Sequence, residues 1–200
     1  MSDIYCVTNR SLCREDFLTR LRRIAACRPA GIILREKDLS PEAYARLARQ
    51  IMQICREYQV PCILHSFTDA AMELGAENIH LPMPLLRELD RERAGAFRRI
   101  GASCHSAQEA MEAQKLGCSY ITAGHIFDTG CKQGVPGRGT AFLKEVCQSV
   151  SIPVYAIGGI TEQNAGEVRR AGAKGVCIMS GLMQCADVEA FFHRFQREGE

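Results

Sequence analysis

Long apolar runs are missing from this chain. None approaches the ~20 consecutive apolar residues that a membrane-spanning helix requires, so no transmembrane segment and no membrane partner are expected. The opening residues, Met1-Ser2-Asp3-Ile4-Tyr5, lack the basic n-region of a secretory signal, which predicts a soluble, cytoplasmic protein. A charge excess is missing too: 25 Lys and Arg stand against 23 Asp and Glu, a net charge of +2. Nucleic-acid binding calls for a clustered basic surplus, so no nucleic-acid partner is expected. The densest basic cluster, Arg87 to Arg99, is interleaved with acids and reads as a solvated face. Metal-ligand spacings are absent as well. No two of the eleven cysteines are spaced CxxC, no two histidines are spaced i, i+4, and HExxH does not occur, so no metal site is expected. Cys6, Cys62, Cys104 and Cys177 fall in apolar runs, where cysteine behaves as a small hydrophobe. Reduced, buried thiols are therefore expected rather than a disulfide framework. Cys131 sits in a polar loop beside Lys132, a neighbour that lowers a thiol pKa, and is read as a bystander.

What is present is a steady alternation. Eight short apolar runs occur, at Ile4–Val7, Gly31–Leu34, Pro61–Leu64, Asn78–Leu81, Ile100–Ser103, Tyr120–Ala123, Pro153–Ile157 and Gly175–Met179. They are continuous rather than alternating, which suits strands of a parallel sheet covered on both faces. Helical patterns lie between them. Ser40-Pro41-Glu42 opens one with a capping hydroxyl and a first-turn proline, and Tyr44, Leu47, Ala48, Ile51 and Ile54 form its apolar stripe. Residues 106–116 and 164–171 read similarly. A weak repeat supports this order: Leu74-Gly75-Ala76, Leu116-Gly117-Cys118 and Ala171-Gly172-Ala173 each end a helix on glycine just before a strand. Repeated αβ units around eight strands predict a single (β/α)8 barrel over residues 1–200, shorter than the ~250 residues typical of that fold. An open doubly wound sheet is the alternative.

In such a barrel, chemistry sits where strands pass into the following loops. The seventh and eighth strand ends, Gly158-Gly159 and Met179-Ser180-Gly181, offer close backbone approach and N–H donors for a phosphate; the glycines could also simply make a tight turn. At the second strand end, strand alternation sends Arg35 and Lys37 to one side and Glu36 to the other, so two cations converge on a second anion. Lys132 is a third candidate cation, on a glycine-rich loop (residues 133–139) able to close over a ligand. Among the histidines, His125 is the candidate proton-transfer residue, because imidazole exchanges protons near neutral pH. His193 reads as structural and His80 as a hydrogen-bonded core residue. His65 and His105, with Ser103 and Thr129, are candidates for lining the site.

Taken in order, Tyr5-x-Val7-Thr8, Leu34-Arg35-Glu36-Lys37, His80-Leu81, Gly101-x-Ser103-x-His105-Ser106, Gly124-x-x-Phe127-x-Thr129-x-x-Lys132, Ala156-Ile157-Gly158-Gly159-Ile160 and Ser180 form a set running through the whole chain. This set resembles the thiamine phosphate synthase/thiazole tautomerase (TenI) superfamily, which implies a (β/α)8 barrel. The synthase branch joins a pyrimidine methyl pyrophosphate to a thiazole phosphate with magnesium. Against that branch's pattern, Ile33 stands at the position of a Gln, His65-Ser66 at an Asn-Asp, and no acid follows His80-Leu81-Pro82 closely. Asp69 falls within the next helix. Magnesium prefers oxygen ligands, usually carboxylates, so these departures argue against a metal. The Gly124-His125-Ile126-Phe127-Asp128-Thr129-Gly130-Cys131-Lys132 run is instead similar to the tautomerase branch. That resemblance implies an isomerase that aromatises a carboxythiazole phosphate, with His125 moving the proton. Gly158, Gly159 and Ser180 would hold the phosphate, Arg35, Lys37 or Lys132 would meet the carboxylate, and no cofactor would be needed. The alternatives are a magnesium-dependent thiamine phosphate synthase and a non-catalytic binder of phosphate ligands. A small thiazole phosphate is the expected partner, and the outer helices could support a homodimer.

Overall fold

The eight apolar runs become eight strands buried on both faces, because helices cover the outside and side chains from the opposite strands fill the inside. In the computed structural model, which describes residues 4–130 and 134–197, the strands are β1 (Ile4–Val7), β2 (Gly31–Leu34), β3 (Cys62–His65), β4 (Asn78–Pro82), β5 (Arg99–Cys104), β6 (Tyr120–Gly124), β7 (Val154–Ile157) and β8 (Gly175–Ile178). All pair in parallel and in chain order. β8 closes on β1 through Ile4↔Val176, Tyr5↔Cys177 and Cys6↔Ile178. That closure makes the chain a (β/α)8 barrel and excludes the open doubly wound sheet.

The helices are α1 (Phe17–Ala26), α2 (Pro41–Glu57), α3 (Thr68–Glu73), α4 (Met83–Arg87), α5 (Arg91–Gly95), α6 (Ala107–Lys115), α7 (Gly139–Ser149), α8 (Glu162–Arg170), α9 (Ser180–Gln184) and α10 (Val188–Arg197). The Ser40 side chain accepts from the Ala43 N–H and caps α2; Ser106 does the same for α6 through Glu109. α8 begins earlier than its apolar pattern suggested, because Thr161 is its cap and Asn164 completes a capping box. Gly75, Gly117 and Gly172 each follow a helix end with positive φ, the left-handed stop that the repeat predicted. Among the described residues no helix is long and apolar enough to cross a membrane, and all the described cysteines are free thiols.

The core has two layers. The larger lies between barrel and helices, from Leu21 and Ile24 round to Phe192 and Phe195. The smaller fills the lumen with Tyr5, Tyr120 and Tyr155 beside Val7, Ile33, Ile63 and Cys177. Tyr5 and Tyr120 stack at 5.7 Å while Tyr155 meets both edge-on. Position 101 must be glycine for this plug to fit, since a Cβ there would lie 2.2 Å from the Tyr120 ring. The stretch Arg87 to Arg99 is not solvated throughout. Arg87, Arg93 and Arg98 form surface ion pairs, but Arg99 turns inward, donating to the Tyr5 hydroxyl at 3.0 Å and lying over the Tyr120 ring. The aromatic lumen supplies an acceptor and a π face that sequence neighbours do not reveal.

Candidate active site

At the C-terminal ends of the strands the barrel opens into a cavity of about 560 Å³. Arg35, Lys37, His65, Ser103, His105, His125, Thr129, Gly158, Gly159 and Ser180 all line it, as does His80. Lys132 and Cys131 lie outside the described residues. His193 is not part of this cavity's lining; it lies exposed on α10 beside Glu189.

The cationic corner is built by β1 and β2. The Thr8 hydroxyl donates to Glu36 at 2.7 Å and accepts from the Arg35 backbone N–H at 2.9 Å. Both Glu36 oxygens accept from the Arg10 backbone N–H, and Oε2 also accepts from its guanidinium at 3.1 Å. Glu36 is thus buried and held away from the cavity, while the residues on either side of it, Arg35 and Lys37, face the ligand space. The Tyr44 hydroxyl of α2 donates to Leu34 O and accepts from His65 N, tying the ends of β2 and β3 together. Sequence reasoning placed Thr8 and Arg10 at the end of β1 and Tyr44 in the α2 stripe but gave none of them this role; the strand alternation at Arg35-Glu36-Lys37 was the signal that Glu36 faces away from its neighbours.

The next wall is made of imidazoles. His65 and His80 occupy paired positions on β3 and β4 and stack at 5.7 Å. His80 is held between the Tyr120 hydroxyl at Nδ1 and the Ser103 hydroxyl at Nε2, 3.1 and 2.8 Å away. Burial pushes its pKa down to about 3. Burial, His80 and the nearby cations Lys37 and Arg35 also hold His65 well below the ordinary histidine range. Both rings are neutral at pH 7. His105 Nδ1 donates to Gly124 O at 2.7 Å, and His125 Nε2 donates to Val135 O at 3.0 Å.

The third wall is the close contact of the β6 and β7 ends. Gly158 has φ +102°, and a Cβ there would lie 2.3 Å from His125 Cβ; at Gly159, φ +64°, it would lie 2.4 Å from Asp128 O. These glycines therefore let two loops pack together, whatever else their N–H groups do. The described part of the following loop is tied down rather than free: Arg138 N donates to His125 O, Gly139 N to Ile126 O and Gly137 N to Asp128 Oδ1. Phe191 of α10 also reaches the cavity, a contribution that an amphipathic helix pattern cannot announce.

The sequence profile described as thiamine monophosphate synthase matches residues 4–182. The chain belongs to that family. It is 35% identical to Thiamine-phosphate synthase 2 of Streptococcus pneumoniae, over 98% of this chain and 94% of that one. It is 32% identical to Thiamine-phosphate synthase of Clostridium novyi, over 93% of each. A solved structure titled thiamine phosphate pyrophosphorylase from Pyrococcus furiosus superposes with a TM-score of 0.85 at 29% identity, covering 98% of this chain and 94% of that one. These relatives overturn the expectation of a thiazole tautomerase. The resemblance of one loop around His125 pointed to the isomerase branch, but similarity along almost the whole chain runs to proteins named as synthases. A short loop motif carries less information than similarity spread along a whole chain.

The magnesium that the synthase pattern implies does not fit the donor set of this chain. The ends of β3 and β4 offer imidazoles, Ser66 and Pro82 where a hard cation wants carboxylates. Asp69 lies on α3 with its side chain in solvent, paired with Arg93. The acids in the cavity lining are engaged, Asp128 with Gly137 N and Glu162 with Arg194. Among the described residues no cluster of three or more His, Cys, Asp or Glu side chains could hold a metal ion.

Proposed function

We propose that this protein is a thiamine-phosphate-synthase-type transferase that joins a pyrimidine methyl pyrophosphate to a thiazole phosphate. The C–O bond to pyrophosphate breaks, a C–N bond to the thiazole ring nitrogen forms, and pyrophosphate leaves. An aromatic nitrogen without hydrogen needs no base to attack, so the enzyme's task is to align two rings and to stabilise charge on the leaving group. Arg35 and Lys37 meet the pyrophosphate. The backbone at Gly158 and Gly159, with Ser180, holds the thiazole phosphate.

The observation that carries this reading is the Thr8–Glu36–Arg10 network. It holds Glu36 away from the cavity, so the two cations that flank it project into a cavity whose other side is a glycine-rich cradle. One site thereby offers grips for two anionic substrates, as a two-substrate transferase requires and a one-phosphate ligand does not. No resident metal is assigned, because the donor set does not suit one.

The test is coupling of the two substrates, followed by pyrophosphate release, with and without EDTA. Lys37→Ala is expected to weaken binding of inorganic pyrophosphate by roughly 10-fold or more, a lost charge-assisted bond of about 1.5–3 kcal/mol, while EDTA leaves that affinity unchanged. Absence of coupling above the enzyme-free rate, with phosphate ligands still bound, would leave a binding protein in place of a transferase.

A further inference from the structure

Glu162 puts a carboxylate in the wall of the cavity, three residues past Gly159 and in the first turn of α8. The turn that carries it is fastened to the glycine cradle. Asn164 Nδ2 donates to Gly159 O at 2.9 Å, and Asn164 Oδ1 accepts from Thr161 N at 2.9 Å. A negative charge held beside a phosphate opposes its binding unless another charge offsets it. The offset comes from the last helix of the chain. Arg194 Nε of α10 lies 3.2 Å from Glu162 Oε1. Three residues earlier, Phe191 is buried, lines the same cavity and lies against Gly181 of α9, where a Cβ would come within 3.0 Å of its Cζ. The Arg194 guanidinium is 5.9 Å from the centroid of that ring. Phe191 and Arg194 thus share one face of α10, at i and i+3. That face bridges α9 and α8, the two helices that follow the strand ends of the cradle.

We propose that Arg194 is a positioning residue for phosphate binding: it acts through Glu162, holding the carboxylate against α10 and offsetting its charge, so that the last helix completes the cradle. The inference rests on the transferase reading and deepens it, adding α10 to the site that holds the thiazole phosphate. Arg194 does not touch the ligand, since it is half-exposed and outside the cavity lining. As a stabilising element an exposed pair of this kind contributes little, so a purely structural role predicts almost no consequence of losing it. As a charge offset beside a phosphate, its loss is felt by the ligand. Arg35 and Lys37 form a separate cationic corner built on β2, so an anion held there does not depend on the Arg194–Glu162 pair.

The experiment measures binding of the thiazole phosphate and of inorganic pyrophosphate to the whole protein by calorimetry. Arg194→Gln is expected to weaken thiazole phosphate binding roughly 3- to 10-fold at low salt, the effect of one uncompensated charge near a phosphate. Measured against wild type at the same salt, that loss should shrink below about twofold in 1 M KCl, where screening is nearly complete. Affinity for inorganic pyrophosphate should stay within about twofold of wild type, which also reports that the variant is folded. Adding Glu162→Gln to Arg194→Gln removes the charge that needed an offset, and should bring thiazole phosphate affinity back within about twofold of wild type. No loss in the single variant, a loss that salt does not change, or a double variant as weak as the single one overturns the inference while coupling activity stands. Absence of coupling by wild type, with the affinities following the expected pattern, overturns the transferase reading and leaves the role of Arg194 in place. Failure of wild type to bind the thiazole phosphate overturns both.

Discussion

Around the rim of the cavity, β3, β4 and β5 contribute imidazoles and hydroxyls that satisfy one another, whereas β2 contributes two cations whose intervening glutamate is turned away. Both walls are polar, yet they are polar for different reasons. His80 is held by Tyr120 and Ser103 and is neutral; it behaves as part of the lumen core carried up to the rim. Arg35 and Lys37 line the cavity while the Thr8–Glu36–Arg10 network holds the carboxylate between them on the other side of the strand. One barrel mouth thus sets buried neutral groups beside presented charges.

The sharpest way to break this comparison is at the seam between the walls. Gly158→Ala is expected to disturb both together, because its Cβ would collide with His125 Cβ rather than with open space. Positive φ and the overlap should cost about 3 kcal/mol or more in urea denaturation, with phosphate affinity and the NMR signals of the His125 ring both altered. Loss of phosphate affinity alone, with His125 undisturbed, would mean that the glycine serves only the anion cradle.

A smaller effect sharpens the neutral wall. The folded-state pKa of His80, about 3, lies below the value of about 6.5 expected in the unfolded chain. The unfolded chain therefore binds more protons between those limits. The stabilisation from the neutral ring is complete above about pH 6.5 and is lost progressively as pH falls toward 3, at up to about 1.4 kcal/mol per pH unit. His80→Gln should flatten the fall in urea midpoint between pH 7 and pH 5; an unchanged slope would place the acid sensitivity elsewhere.

The smallest effect is expected at Asp69. Its ion pair with Arg93 is exposed, and such pairs contribute about 0–1 kcal/mol. Asp69→Asn should leave stability within about 0.5 kcal/mol and coupling unchanged. A large loss of coupling that is rescued by raised magnesium would show that this carboxylate, not the cationic corner, serves the pyrophosphate.

Much of the architecture is legible in the order of the residues. All eight strands lie where continuous apolar runs occur, and the helix stops at Gly75, Gly117 and Gly172 are marked by their residue type, because such features depend on neighbours three or four residues away. Strand alternation likewise tells which side of β2 carries Arg35 and Lys37. Reading the branch of the family from the loop around His125 failed for the converse reason: a short motif reports one local arrangement, whereas relatedness is spread along the chain.

The sequence by itself therefore determined the repeat of strand and helix, the face on which the site would open and most of the side chains at that face, since period and polarity are local properties. Only the tertiary structure decided what those side chains are able to do. Arg99 turns inward because tyrosines from β1 and β6 meet it in the lumen. Gly158 is glycine partly to admit His125 from the neighbouring strand. The protons on His105 and His125 are placed by carbonyls 19 and 10 residues away. Each of these depends on which atoms barrel closure brings within bonding distance, and that distance is not written in the order of the residues.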